Sequence, residues 1–155
     1  MIQAEFSTTA MSRPELVDRT YDSFCTKMTD VDFKNSTLYL NVDPAPTDVD
    51  PMSVVKVAKK YFGNVVYRIP EEPNFTAAVQ WGWSQVKGPH VFHLEDDWTL
   101  RKKISFNGMV DHMKAGQKGK KIIQVYLRRT NSVHPNKVCL SPSLLDGNFV
   151  RSRLF

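Results

Sequence analysis

Three consecutive carboxylates, Glu95-Asp96-Asp97, end the apolar run His90-Val91-Phe92-His93-Leu94 and are followed at once by Trp98. Acids side by side repel one another and raise one another's pKa values unless a cation or a dense set of donors answers them. Oxygen-only ligands suit Mg or Mn, which keep several waters and complete their shell with substrate phosphates. The competing reading is a solvated acidic turn with a helix-capping aspartate. The end of a predicted strand favours the cation, because ligands of open α/β sheets bind beyond the carboxyl ends of the strands.

The elements that must position these acids are legible from periodicity. Short apolar or alternating runs predict strands over Ile2 to Ser7, Thr37 to Val42, Asn64 to Ile69, His90 to Glu95 and Ile122 to Leu127. Helical spacing predicts helices over Pro14 to Met28, Met52 to Phe62 and Asn74 to Val86. In the third, Phe75, Ala78, Val79, Gly82, Trp83 and Val86 form one apolar face and Asn74 can cap the first turn. Pro14 and Pro51 suit the first turns of the other two. Strands alternating with helices predict an α/β fold with a mostly parallel sheet covered on both faces. Strand one then leads into Thr8, Thr9, Ala10 and Arg13, and strand two into Asp43. Arg13, at the start of a helix, can pair with a phosphate or stack on a base, or be a surface cation. Asp43, before Pro44, is either a ligand contact or a turn residue. Trp98 is either a stacking platform or core.

With those residues in place, the chain resembles the glycosyltransferases of the GT-A fold, which carry a D-x-D-type motif at the end of a central strand. Here the motif takes the form Glu95-Asp96-Asp97. The resemblance extends to Phe6-Ser7-Thr8-Thr9-Ala10-Met11-Ser12-Arg13-Pro14-Glu15-Leu16, similar to the opening strand, nucleotide loop and first helix, and to Leu38 to Asp43, similar to the second strand with its nucleoside-contacting acid. Asn74 to Val86 resembles the helix before the motif, whose first turn faces the donor. Cys139-Leu140-Ser141-Pro142-Ser143-Leu144-Leu145 is similar to a segment on the acceptor side.

The resemblance implies a Rossmann-like fold and a metal-dependent hexosyltransferase taking a UDP-sugar, with UDP-glucose favoured. It implies that Asp97 binds Mn or Mg, and that Thr8, Thr9, Ala10, Arg13, Asp43, Asn74, Glu95 and Asp96 meet the donor. No catalytic base stands out. Asp146, in Leu145-Asp146-Gly147-Asn148, is the candidate and reads also as a turn. Neither His112 nor His134 lies in a recognisable ligand context.

Charge is unevenly distributed along the 155 residues. Residues 1 to 100 hold nine Lys/Arg against fourteen Asp/Glu, a net of −5, whereas residues 101 to 155 hold twelve against two, a net of +10. A basic segment from about residue 101 suits an anionic acceptor, a nucleic acid, or the acidic part of a neighbour in a homo-oligomer. Two alternatives to the transferase therefore stand: a metal-dependent nuclease or phosphotransferase, and a non-catalytic nucleic-acid-binding domain built on Arg101 to Lys121 and Arg128-Arg129. Composition, 41% hydrophobic and 24% charged, is that of a globular chain, and its length predicts a single domain over residues 1–155. Without an ~18-residue apolar window or a signal-peptide pattern, a cytoplasmic location without a membrane span is expected. Cys25 and Cys139 stand apart, which argues against zinc or redox motifs. No Walker A, G-x-G-x-x-G, G-x-S-x-G or H-E-x-x-H pattern occurs.

Overall fold

The structure, a computed structural model, describes residues 1–46, 48–117, 119–127 and 142–152. Its chain order is β1 (Glu5–Met11), α1 (Pro14–Lys27), a short 3-10 turn (Phe33–Asn35), β2 (Thr37–Asp43), α2 (Met52–Tyr61), β3 (Asn64–Arg68) and α3 (Phe75–Ser84). Then come β4 (His90–His93), α4 (Phe106–Ala115), β5 (Gln124–Tyr126), β6 (Ser143–Asp146) and α5 (Gly147–Arg151). The six strands form one sheet in the order β3-β2-β1-β4-β6-β5. Pairs β3-β2, β2-β1 and β1-β4 are parallel, and β6 runs antiparallel to both its neighbours. The α/β class and mostly parallel sheet follow the sequence expectation. The insertion of β6 between β4 and β5 does not.

Alternation along the strands divides the interior in two. Phe6, Leu38, Leu40, Val42, Phe92, Leu94 and Leu144 face α1, α2 and α4, where Val17, Tyr21, Phe24, Val54, Ala58 and Met109 complete one core. Tyr39, Val91 and Leu145 face the other way, onto Val86, Trp81 and Trp83 in and after α3 and onto Phe149 and Val150 of α5. Helices thus cover both faces. α3 packs directly over β1: a Cβ at Gly82 would meet the Ser7 Cβ at 3.5 Å, an ordinary packing contact.

Several boundaries move by a residue or more, and β5 narrows to three residues; the changes at β1 and β4 bear on the site. β1 begins at Glu5 rather than Ile2 and continues to Met11, because Thr8 to Met11 pair in parallel with Leu40 to Asp43. Threonines are good strand residues, so the polar stretch extends the strand instead of ending it. β4 stops at His93, and the segment beyond it is held by tertiary bonds to α1. The helices α4 and α5 and the strand β6 are additional to the expected elements. Of the residues singled out from sequence, Arg128, Arg129, His134 and Cys139 to Ser141 lie outside the described residues. No helix among the described residues is long and apolar enough to cross a membrane.

Candidate active site at the carboxyl ends of β1, β2 and β4

The parallel register places the ends of β1, β2 and β4 side by side, and an open cavity of about 210 Å³ lies beyond them. Thr9, Ala10, Met11 and Arg13 line it from β1 and the turn into α1; Asp43 lines it from the end of β2; Phe75 from the start of α3; and Glu95, Asp96 and Asp97 from the segment after β4. Seven of the residues expected from sequence to meet a donor or metal therefore share one cavity.

Asp96 ties this site together. Its Oδ2 accepts from the Met11 N–H at 3.0 Å, and Arg13 Nη2 donates to both carboxylate oxygens, at 2.8 and 3.0 Å. Its main-chain carbonyl accepts from the Thr20 hydroxyl at 2.8 Å, and Ser23 Oγ accepts from the Leu100 N–H at 2.9 Å. The acidic segment is thus stapled to α1 at several points. The Asp96 side chain is 7% exposed and that of Arg13 41%, so the ion pair closes the floor of the cavity while part of the guanidinium reaches solvent. Charge-assisted bonds of this kind are short and directional.

The neighbouring acids differ in environment. Glu95 is half-buried and accepts from Trp98 Nε1 at 2.8 Å; Trp98 itself packs against the first core. Of the two readings of Trp98, the structure therefore supports core packing, with the indole nitrogen orienting Glu95. Asp97 is exposed at the cavity and is engaged by no hydrogen bond or ion pair among the described residues. Asp43 is buried, and its Oδ1 accepts from Asn41 Nδ2 at 2.7 Å. Asn41 in turn accepts from Arg68 Nε at 2.8 Å, and the Arg68 guanidinium lies 5.4 Å from the centre of the Trp81 ring. A chain of contacts from α3 through β3 and β2 thus aims one carboxylate at the ligand space.

Three of the expected residues are placed elsewhere or otherwise employed. Thr8 lies within β1 with its side chain buried on the α1 side of the sheet, because a strand turns successive side chains to opposite faces. Its neighbour Thr9, not Thr8, reaches the cavity. Asn74 caps α3 as its position predicts, accepting from the Ala77 N–H at 2.9 Å, and it is the next residue, Phe75, that lines the cavity. Asp146 is paired with His90 at the opening of β4, the opposite end of that strand from Glu95. Its carboxylate accepts from the Phe149 N–H at 2.9 Å and is ion-paired with Lys121 at 2.9 Å, and against the upward push of partial burial these contacts lower its pKa from the ordinary value. Asp146 is not among the residues that line this cavity.

Sequence reasoning missed Phe75 and Met11. Phe75 satisfies the apolar spacing of α3 and so reads as core, yet it is 50% exposed. The available signal was its position directly after the capping Asn74: a first-turn residue stands at the end of its helix, where the core face runs out.

The donor set fits a hard divalent cation held by few protein ligands. Four carboxylates and one guanidinium line the cavity, an excess of negative charge. No group of three or more His, Cys, Asp or Glu poised for a metal occurs among the described residues. A cation there would take one or two carboxylates and fill its shell with phosphate oxygens and water, as Mg and Mn do. Asp97 is the side chain available for it.

By sequence, no family model and no curated protein matches the chain. By structure, the whole sheet with its helices aligns with solved proteins. TarS of S. aureus superposes with a TM-score of 0.61 at 10% identity, over 97% of this chain and 29% of its own. TarS residues 1–349 in complex with UDP give 0.59 at 12% identity, over 96% and 48%, and the same fragment with UDP-GlcNAc gives 0.53 at 9%, over 97% and 47%. The glycosyltransferase GlyE of Streptococcus pneumoniae gives 0.55 at 12% identity, over 95% and 34%. The chain therefore has the Rossmann-like fold seen in these proteins, and it spans less than half of the length of each. At such identity the likeness establishes the fold alone.

Proposed function

We propose that the chain binds a nucleotide sugar, most simply UDP-linked, in the cavity beyond β1, β2 and β4, and that it is a metal-dependent glycosyltransferase domain. The observation that carries this reading is the convergence of Asp97, Asp96-bound Arg13 and Asp43 at the carboxyl ends of parallel strands, on a fold shared with a protein solved with UDP and UDP-GlcNAc. Asp97 holds the Mn or Mg ion, which when bound neutralises the diphosphate and stabilises the charge it gains on leaving. The exposed part of Arg13 supplies a second cation to the same phosphates, its direction set by Asp96. Asp43 accepts from the nucleoside. Phe75 offers a half-exposed ring to the base. Glu95, oriented by Trp98, faces the sugar. Asp146, on β6 beside the opening residue of β4, lies at the other end of the sheet from the cavity, so an inverting reaction would draw its base from another group.

The test is thermal stability with UDP, UDP-glucose and UDP-GlcNAc, each with Mn and with EDTA, because a ligand that binds only the folded state raises the melting point. A ligand at about 100 times its Kd adds roughly 2.7 kcal/mol, enough for a shift of several degrees in a domain of this size. The expected result is a shift that needs the metal and is lost in Asp97→Ala. No shift with any nucleotide sinks the reading.

A further inference from the structure

A second and larger cavity, about 400 Å³, lies at the other end of the sheet. The acidic cavity sits beyond the carboxyl ends of β1, β2 and β4; this one is lined by His90, which opens β4, and by Asp146, its partner on β6. Met113 and Ile122 contribute apolar wall, and Lys114, Lys120 and Lys121 contribute charge. Nothing in the donor reading uses these residues.

The charge does not cancel internally. Asp146 is answered by Lys121 at 2.9 Å and by the Phe149 N–H at 2.9 Å. Lys114 and Lys120 are exposed and have no carboxylate partner among the described residues. His90 is half-buried, and burial pushes its pKa down, so at neutral pH it offers an uncharged ring with one N–H to donate. The carboxyl end of α4 works against an anion, but it is a partial charge set against two full ones.

The backbone is shaped to bring these groups together. Gln117 and Lys120 exchange N–H···O bonds of 3.0 and 2.9 Å, which folds the chain back directly after α4. Gly116 and Gly119 hold φ of 66° and 73°, and a Cβ at Gly116 would stand 2.7 Å from the Lys120 carbonyl oxygen. That close approach returns Lys120 and Lys121 to the end of the helix that carries Lys114. Lysines crowded in this way repel unless a partner neutralises them.

We propose that this cavity is a binding site for a small phosphate-bearing molecule with an apolar body. The phosphoryl group pairs with Lys114 and Lys120 and accepts from His90, while the body lies along Met113 and Ile122. The volume falls in the range of small-ligand pockets, about 300–1,000 Å³. A concave site with apolar walls favours such a molecule over an extended polyanion, which would need a row of cations along a face.

The experiment is calorimetric titration of the full chain with phenyl phosphate and with inorganic phosphate at fixed ionic strength. Phenyl phosphate is expected to bind saturably at one site and more tightly than phosphate. The double variant Lys114→Ala/Lys120→Ala should weaken it at least tenfold with the melting point unchanged. The control Lys102→Ala/Lys103→Ala, which removes the same charge from exposed positions outside the cavity, should leave it intact. Asp97→Ala should also leave it intact, which separates this site from the donor cavity. The proposal is overturned if phenyl phosphate does not saturate, binds no more tightly than phosphate, is lost in Asp97→Ala, or responds equally to both lysine pairs. A single-stranded RNA that binds through Lys114 and Lys120 while phenyl phosphate does not would overturn it in favour of a nucleic-acid surface.

Discussion

Asp96 accepts from Met11 N–H and from Arg13 while its carbonyl accepts from Thr20, so its carboxylate holds the end of β1 against the turn into α1. Asp96→Ala leaves a main-chain donor unpaired beneath the cavity; allowing for the partial exposure of Arg13, the expected loss is about 2 kcal/mol in urea denaturation. A loss under ~0.5 kcal/mol would mean that the pair does not hold the site. Asp97 should behave in the opposite way. It is exposed and unpaired among the described residues, so Asp97→Ala should leave stability within about 0.5 kcal/mol of the parent while abolishing metal-dependent nucleotide binding. Phe75→Ala separates packing from binding. Half of that ring is already in water, so stability should change little, whereas loss of a stacking contact worth about 1 kcal/mol should weaken UDP roughly fivefold by titration. The acids were legible because three carboxylates in a row after an apolar strand are chemically conspicuous. Their division of labour was not, because which acid is paired depends on Arg13 before α1 and Thr20 within it, more than seventy positions away.

At the scale of elements, α5 and β6 show how tightly the far side of the sheet is built. A Cβ at Gly147 would stand 2.2 Å from the Gly88 carbonyl oxygen, and the Gly147 N–H donates to the Pro89 carbonyl at 2.7 Å. Gly147→Ala must therefore push α5 off the segment before β4, and a cost of about 1–3 kcal/mol is expected from chemical denaturation. An unchanged midpoint would show that α5 is free to shift. The longer elements were legible: α1, α2, α3, β2 and β3 follow from the spacing of apolar residues and from Pro14 and Asn74 at helix starts. The short ones were not. β6 is four residues, Ser143–Asp146, without a full alternating pattern, and it is a strand because β4 and β5 flank it.

For the molecule as a whole, the buried polar layer under α3 makes stability depend on pH on the acid side. His93 is buried, its Nδ1 lies 2.9 Å from Ser7 Oγ, and burial pushes its pKa down to about 4. An unfolded chain takes up a proton near pH 6.5 that the folded one refuses until about pH 4, so the unfolded state binds more protons between those values. Stability is therefore complete above about pH 6.5 and falls on acidification by at most about 1.4 kcal/mol per pH unit from this group. Melting points measured from pH 7 to pH 4 should fall, and in His93→Gln they should fall less steeply. Equal slopes would show that other groups dominate. The charge asymmetry belongs to the same scale. Four acids gather beyond the carboxyl ends of the strands, while Lys114, Lys120 and Lys121 of the basic segment gather at the opposite end.

From the order of residues alone come the α/β class, the acidic motif at the end of β4, and a set of nucleotide-side candidates from which Thr9, Ala10, Arg13 and Asp43 reach the cavity. These are local: periodicity, capping and strand ends depend on neighbours within a few positions. The tertiary structure decided the rest. It turned Thr8 inward and Thr9 outward, exposed Phe75, gave Asp96 to Arg13 and left Asp97 open, and set Asp146 on β6 beside His90, at the other end of the sheet from the acids. Those outcomes depend on strand register and on helices packed from distant parts of the chain, and a one-residue change of register would reverse the facing of every side chain in β1.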